Sequence, residues 1–161
     1  GADVTGIDAS DKNIEVAKLH AKKNNLKINY INTVPENLAQ HNEFDIILNL
    51  EVIEHVENLD LYLSSCLKLL KKKRIMFTAT INRTLISYVK AIVGAEYVLR
   101  WLPIGTHDWN KFIKPEELEK KLTDLNFTIT SLTGLTFNPI FQEWKKTKDM
   151  SVNYIIAAKK N

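Results

Sequence analysis

Short apolar runs alternate with stretches of helical periodicity along the first half of the chain. The apolar runs predict four strands, at Val4–Ile7, Ile28–Thr33, Asp45–Leu50 and Ile75–Thr80. The periodic stretches predict helices from Ser10 or Asp11 to about Asn24, from Pro35 to Ala39 and from about Leu59 to Leu70. Strands that alternate with helices through short connections predict an α/β fold with a doubly wound, mostly parallel sheet.

The second half of the chain is organised differently. Leu85–Leu102 is an apolar segment with sparse charges, and Pro115 begins a predicted helix that reaches about Leu125. Phe127–Leu132 and Val152–Ala158 are predicted closing strands, joined through an irregular stretch around Asn138. Two closing strands with a longer connection predict an antiparallel edge strand on the otherwise parallel sheet.

The start of the chain suggests that the sequence is a fragment. The first residue is Gly1, and the first predicted strand follows almost at once from Val4. We therefore expect a single domain over residues 1–161 that lacks its N-terminal part.

Composition and charge exclude several classes of protein. The net charge is only +3, from 22 basic and 19 acidic residues, which is too weak to predict nucleic-acid binding. The single cysteine, Cys66, lies in an apolar helical pattern and is expected to be buried. The sequence has no signal peptide and no apolar run long enough to span a bilayer. A reducing, cytoplasmic compartment is the default expectation.

Phe44–Val56 is the stretch around which the predicted chemistry is organised. Its apolar run Ile46–Leu50 is typical of a strand buried on both faces. Glu51, Glu54 and His55 follow at spacings i, i+3 and i+4, so their side chains would share one face if the segment were helical. The carboxyl end of a strand is where open α/β sheets place their binding sites.

Three interpretations of Glu51, Glu54 and His55 remain open. Two of them assign the residues a chemical role, and the third assigns them none. The carboxylates and the imidazole could hold a divalent cation that lowers the pKa of a substrate oxygen. Alternatively, His55 could act alone as a general base. The two glutamates could also be solvated carboxylates at a helix start, with His55 incidental.

Asp8 is the candidate cofactor residue. An acidic side chain at the end of such a strand can accept hydrogen bonds from both hydroxyls of a ribose. The alternative is that Asp8 caps the following helix.

Two further segments have open interpretations. Leu85–Leu102 could be a helix at a membrane interface, a helix over a substrate pocket, or a core helix. Lys71–Arg74 is a basic cluster that we expect to form a solvated connection.

Several sequence strings together resemble those of a known protein family. General support comes from Val4–Asp8, Phe44–Val56 and Thr80–Arg83. Narrower support comes from Val93–Arg100, Gly105–Trp109, Phe112–Pro115, Gly134–Leu135 and Phe137–Pro139. On these strings the chain resembles class I S-adenosylmethionine-dependent methyltransferases and, within them, the O-methyltransferases of ubiquinone biosynthesis.

The resemblance implies a Rossmann-like methyltransferase fold and an activity. It implies that Asp8 holds the ribose of S-adenosylmethionine and that Leu50 lines the cofactor site. The implied reaction methylates a hydroxyl of a polyprenylated catechol or phenol, with Glu51 and His55 as catalytic residues. Glu51, Glu54 and His55 are the implied ligands of a divalent cation, Mg²⁺ or similar.

The resemblance also implies a location and partners. Residues 84–112 would be an insertion that faces the substrate and the membrane. The implied protein is peripheral to the inner membrane, on its cytoplasmic side or on the matrix side if mitochondrial, and it could contact other proteins of ubiquinone biosynthesis.

Two departures from the family pattern leave a second hypothesis open. The strand and glycine-rich loop that bind the methionine part of the cofactor should precede Gly1. In addition, Lys71-Lys72-Lys73 stands where relatives have a Pro-Gly-Gly turn, which removes residues that adopt positive φ easily. The alternative function is therefore a non-catalytic remnant, or one half of a split protein whose partner supplies the glycine-rich loop.

Overall fold

The computed structural model describes residues 1–38, 43–98, 100, 103, 105–106, 108–138 and 141–161. The chain divides into two compact units, Gly1–Gln40 and His41–Asn161.

The first unit is a parallel βαβ arrangement, as the sequence predicts. β1 (Thr5–Asp8) pairs in parallel with β2 (Asn29–Asn32), and α1 (Asp11–Lys23) connects them. The Ser10 hydroxyl caps α1 by accepting a hydrogen bond from the amide of Asn13 at 3.4 Å. A short 3₁₀ turn at Pro35–Asn37 follows β2.

The second unit contains a five-stranded sheet in the order β3-β4-β7-β5-β6. Its strands are β3 (Phe44–Leu50), β4 (Leu70–Ile81), β5 (Phe127–Asn138), β6 (Glu143–Thr147) and β7 (Asn153–Lys160). β3 and β4 are parallel, whereas β7 is antiparallel to both β4 and β5. The sheet is therefore mixed, as an α/β fold with an antiparallel closing strand requires.

The antiparallel edge of this sheet is formed by a strand that the sequence did not predict. β6 occupies the edge and is antiparallel to β5, and it lies where we expected an irregular connection. The closing strand β7 lies inside the sheet, between β4 and β5. β6 escapes detection because Glu143-Trp-Lys-Lys-Thr147 is exposed almost throughout and has no apolar alternation.

Two helices cover this sheet and form its main core. α2 (Leu59–Leu69) begins at Asn58, whose side chain accepts a hydrogen bond from the amide of Leu61 at 3.0 Å. α4 (Pro115–Asp124) presents Leu118 and Leu122, both fully buried. The core that α2 and α4 form with β4 and β7 also contains Cys66, which is buried as expected.

β3 is not buried on both faces, in contrast to the expectation from its apolar run. Ile46, Leu48 and Leu50 are 59 %, 62 % and 53 % exposed, whereas Ile47 packs against the core. β3 is the outermost strand of the five-stranded sheet and its side chains alternate between the two faces. Only the face that carries Ile47 and Asn49 is covered in the second unit.

The basic cluster Lys71–Arg74 belongs to β4 and not to a separate connection. Leu70 pairs with Phe44 and Ile75 pairs with Ile46, so the basic residues bulge out between the two paired positions. Asp45 forms ion pairs with Lys71 and Arg74, both at 2.9 Å, and these contacts, led by the hydrogen bond from Lys71, lower the pKa of Asp45. Lys73 has a φ of 61°, at a cost of roughly 1 kcal/mol that a glycine would avoid.

The apolar segment after β4 is helical as far as the structure describes it. α3 (Leu85–Ser87) begins at Thr84, whose hydroxyl accepts a hydrogen bond from the amide of Ser87 at 3.0 Å, and it continues as a π-helix at Tyr88–Val98. Trp101 and Leu102 lie outside the described residues. None of the helices in the described part of the chain is long and apolar enough to cross a lipid bilayer.

Candidate active site

The carboxylate of Asp8 is held at the carboxyl end of β1. One of its oxygens, Oδ1, accepts a hydrogen bond from the amide of Ser10 at 2.7 Å, and the Asn13 side chain lies 3.3 Å from both oxygens. Ser10, and not Asp8, caps α1, so the capping interpretation of Asp8 is wrong. The half-buried carboxylate is oriented by its neighbours and retains lone pairs for a further donor.

The segment after β3 is a turn and not a helix. Its first residue, Glu51, has a φ of 53°, and the His55 amide donates to the Val52 carbonyl at 2.9 Å. β-Branched residues at 52, 53 and 56 disfavour a short helix, and the cap residue Asn58 delays helix formation until Leu59. The spacing argument for one shared helical face therefore does not apply to Glu51, Glu54 and His55.

Glu54 is buried although it is a charged residue type. It is only 3 % exposed, and its Oε2 accepts a hydrogen bond from the Thr80 hydroxyl at 2.7 Å. Its second oxygen, Oε1, is buried and has no hydrogen-bond partner in the described part of the chain. An unpartnered buried acceptor costs about 1–3 kcal/mol, so a proton or a cation at this point would be favourable.

Glu51 lies close enough to Glu54 for the two carboxyl groups to influence one another. Burial of the Glu51 carboxyl, repulsion from Glu54 and a hydrogen bond between the two carboxyl groups raise the pKa of Glu51 to about 7. A contact from the Asn153 amide group to Glu51 Oε1, at 3.4 Å, opposes the shift. Burial is the largest of these causes, although Glu51 as a whole residue is exposed and its carboxyl is therefore only partly desolvated.

We refer to Glu51 and Glu54 as the acid pair. With a pKa of about 7, the Glu51 carboxyl is partly protonated near neutral pH, where an ordinary glutamate is ionised. Because Glu54 is buried and Glu51 is exposed, exchange of this proton with a bound molecule would take place at Glu51. The arrangement is suited to general acid–base chemistry close to pH 7.

The other predicted residues of this segment flank the acid pair in sequence. Leu50 is the last residue of β3, and its apolar side chain is 53 % exposed. The side chain of His55 is exposed in the turn that carries Glu54. Across the residues that the structure describes, no group of three or more His, Cys, Asp or Glu side chains is arranged to hold a metal ion.

Sequence reasoning missed the residues that support the acid pair. Thr80 and Asn153 contact Glu54 and Glu51, and neither was given a role. A signal for Asn153 exists: it is the first residue of β7, which is antiparallel to β4 and therefore begins where β4 ends. An amide at this position is brought to the carboxyl end of the parallel strands.

A line of buried polar groups continues from the acid pair into the core. Asn49 and Thr78 are neighbours across β3 and β4, and both are almost fully buried. The Tyr62 hydroxyl donates to Asn49 Oδ1 at 2.9 Å. The single asparagine inside the apolar run of β3 was the visible sign of this polar line.

Comparison with protein families and characterised proteins gives a consistent result. A family described as "Methyltransferase domain" matches residues 1–154. The chain is 57 % identical over 161 residues to the ubiquinone biosynthesis O-methyltransferase of Pelagibacter ubique, covering 100 % of this chain and 67 % of the relative. It is 53 % identical to the protein of that name from Mesorhizobium japonicum, covering 99 % of this chain and 65 % of the relative. The chain thus spans about two thirds of the length of these relatives.

Solved structures resemble the fold at low sequence identity. A magnesium protoporphyrin IX methyltransferase from Synechocystis, with bound SAH, aligns with a TM-score of 0.68 and 17 % identity, covering 100 % of this chain and 65 % of that one. A SAM-dependent methyltransferase from Thermotoga maritima aligns with a TM-score of 0.69 and 18 % identity, covering 98 % and 73 %. These likenesses confirm the Rossmann-like α/β fold class that the sequence predicts.

The acid pair makes a prediction about stability and pH. The pKa of Glu51 is about 7 in the folded protein and near 4.5, the ordinary value, when unfolded, so the folded state binds the additional proton between these values. The contribution of Glu51 to stability is therefore full below the lower value and is lost as the pH rises through the higher one. We expect a loss of about 1 kcal/mol after allowance for solvent screening.

Urea unfolding of wild type and Glu51→Gln from about pH 5 to about pH 8 measures this contribution. Glu51→Gln should lack the loss of unfolding free energy that wild type shows as the pH rises to about 7. The control Glu57→Gln, which changes an exposed glutamate nearby, should follow wild type. Parallel pH profiles for wild type and Glu51→Gln would show that the pKa of Glu51 is not raised in the folded protein.

Proposed function

We propose that the chain transfers methyl groups to a hydroxyl of a polyprenylated catechol or phenol. The premise is that the chain belongs to the methyltransferase-domain family and to its ubiquinone biosynthesis O-methyltransferases. The observation that carries the proposal is the 57 % identity to such an enzyme along all of this chain. The methyl donor we propose is S-adenosylmethionine. We further propose that residues 1–161 form one methyltransferase domain.

The cofactor role falls to Asp8 and Leu50. A carboxylate that is already oriented by Ser10 and Asn13 can accept the two hydroxyls of a ribose without losing much conformational freedom. The exposed apolar side chain of Leu50 offers a surface for the uncharged parts of the cofactor. Bound S-adenosylmethionine supplies an electrophilic methyl carbon on a sulfonium sulfur.

The acid pair supplies the base. A phenol is a weak nucleophile until its hydroxyl proton is removed, and a carboxylate with a pKa of about 7 accepts that proton more readily than an ordinary glutamate. Glu51 takes the proton, and the neighbouring charge of Glu54 favours the protonated form of Glu51. His55, which is exposed in the same turn, is a second candidate base. The phenolate oxygen attacks the methyl carbon as the carbon–sulfur bond breaks, which leaves S-adenosylhomocysteine.

A location at the membrane surface follows from the substrate we propose. Exposed apolar side chains are concentrated on α3 and the start of the π-helix, where Leu85 is 79 % and Val89 57 % exposed. A surface of this kind suits a long isoprenoid tail and the interface of a bilayer. We therefore propose that residues 84–112 face substrate and lipid, and that the protein is peripheral to the inner membrane, on its cytoplasmic or matrix side.

A divalent cation on Glu51, Glu54 and His55 is a separate proposal about the same residues. In its support, a cation would relieve the repulsion between the two carboxyl groups and give Glu54 Oε1 a partner. Against it, no group of three such ligands is arranged for a metal in the described part of the chain. When bound, a cation would lower the pKa of a substrate hydroxyl.

The methyl-transfer proposal predicts distinct defects for Asp8 and Glu51. With a water-soluble catechol as acceptor, Glu51→Gln should lower kcat by about 10²–10⁴-fold because the base is lost. Asp8→Ala should weaken binding of S-adenosylhomocysteine, measured by calorimetry, by about 10–100-fold because charged hydrogen bonds are lost. Glu57→Gln and Asp11→Asn are the matched controls. If wild type shows no turnover and does not bind S-adenosylhomocysteine, this result would favour the non-catalytic remnant.

The cation proposal predicts a thermal shift that does not depend on activity. Mg²⁺ or Mn²⁺ should raise the Tm of wild type and leave the Tm of Glu54→Gln almost unchanged, because the latter lacks one carboxylate. The same response in both proteins, or none in wild type, would remove the metal from the account.

A further inference from the structure

The hairpin of β5 and β6 ends in three exposed aromatic side chains. Phe137, Phe141 and Trp144 are 41 %, 70 % and 57 % exposed, and we call them the aromatic tip. Phe137 and Trp144 are direct neighbours across the two strands, with ring centroids 5.3 Å apart. Large aromatic side chains exposed together at the end of an element mark an interaction surface.

Lysines lie directly behind the aromatic tip. Lys146 lies on the same face as Trp144, two residues along β6, and so about 7 Å from it. On the opposite face the Lys145 ammonium lies 5.9 Å from the Phe141 ring centroid and 2.7 Å from Glu143. The aromatic rings thus lie at the end of the hairpin, and the lysines lie about one side-chain length behind them. This separation is similar to the depth of about 5–10 Å to which interfacial elements enter a bilayer.

The base of the hairpin is fixed to the rest of the second unit. A Cβ on Gly134 of β5 would lie 1.9 Å from the carbonyl oxygen of Asp149, so only glycine permits this close approach. A pocket of about 110 Å³ between hairpin and π-helix is lined by Lys90, Leu135 and Thr147 among others. Hydrogen bonds from Ser151, first of all from its backbone amide, lower the pKa of Asp149, and the charge of Lys90 adds to this effect. These contacts fix the base of the hairpin, from which the aromatic tip extends.

We propose that the aromatic tip is a second membrane anchor, which inserts into the interface of an anionic lipid bilayer while Lys145, Lys146 and Lys148 contact lipid phosphates. Aromatic rings favour the headgroup boundary, and lysine side chains extend along apolar surface to reach charges. The biological purpose of this anchor rests on the proposed function, because a substrate with an isoprenoid tail would lie in the membrane. The physical claim concerns lipid binding and is tested without turnover.

Co-sedimentation with vesicles of phosphatidylcholine, alone or mixed with phosphatidylglycerol, tests the anchor. Wild type should bind the mixed vesicles more strongly, and Trp144→Ser should weaken this binding by about tenfold or more. Lys145→Glu/Lys146→Glu should abolish the preference for the anionic lipid. Leu61→Ser, which removes an equally exposed apolar side chain from α2, is the control and should bind as wild type does.

Three outcomes would overturn the proposal. The first is equal vesicle binding by wild type and Trp144→Ser, and the second is a loss of vesicle binding in Leu61→Ser as large as that in Trp144→Ser. The third is self-association of wild type without lipid that Trp144→Ser removes, which would make the tip a protein interface. Turnover of a water-soluble catechol should be unchanged in Trp144→Ser. Absence of that turnover in wild type would count against the methyltransferase proposal and leave the vesicle result standing.

Discussion

The enforced contact between two carboxyl groups at the end of β3 is the constraint on which the candidate site depends. Glu51 turns the chain with a left-handed backbone, and Glu54 returns into the protein, where Thr80 holds one of its oxygens. Neither feature is favourable by itself, since positive φ and a buried unpartnered oxygen each cost free energy. Such costs persist where the surrounding structure determines them, and they concentrate at functional sites.

The mixed sheet explains how this contact is maintained. Because β7 runs antiparallel between β4 and β5, its first residue, Asn153, lies beside the carboxyl end of β4, near Thr80. One donor for each glutamate therefore comes from rigid, neighbouring strands. A site built on strand ends is better defined in position than one built on loops alone.

Residues with regular local signals were predictable from the sequence. The apolar runs and caps located β1, β3, β4 and β7 as well as α1, α2 and α4, since patterning and capping act over a few residues. The shared face of Glu51, Glu54 and His55 was conditional on a helix, and the segment is a turn, because i, i+3 spacing occurs by chance in short polar segments. β6 and the exposed face of β3 were missed because both depend on which strand lies next in the sheet, which is a non-local property.

The chemical roles were less accessible than the fold. The residue types of Glu51 and Glu54 suggested acid–base or metal chemistry, yet their unequal burial, which assigns proton exchange to Glu51, is a property of the folded chain. Carbon-13 NMR titration of the Glu51 carboxyl, in wild type and in Glu54→Gln, measures the contact most directly. The account predicts a midpoint of about 7 in wild type that moves toward 4.5 in Glu54→Gln. A midpoint near 4.5 in both proteins would contradict it.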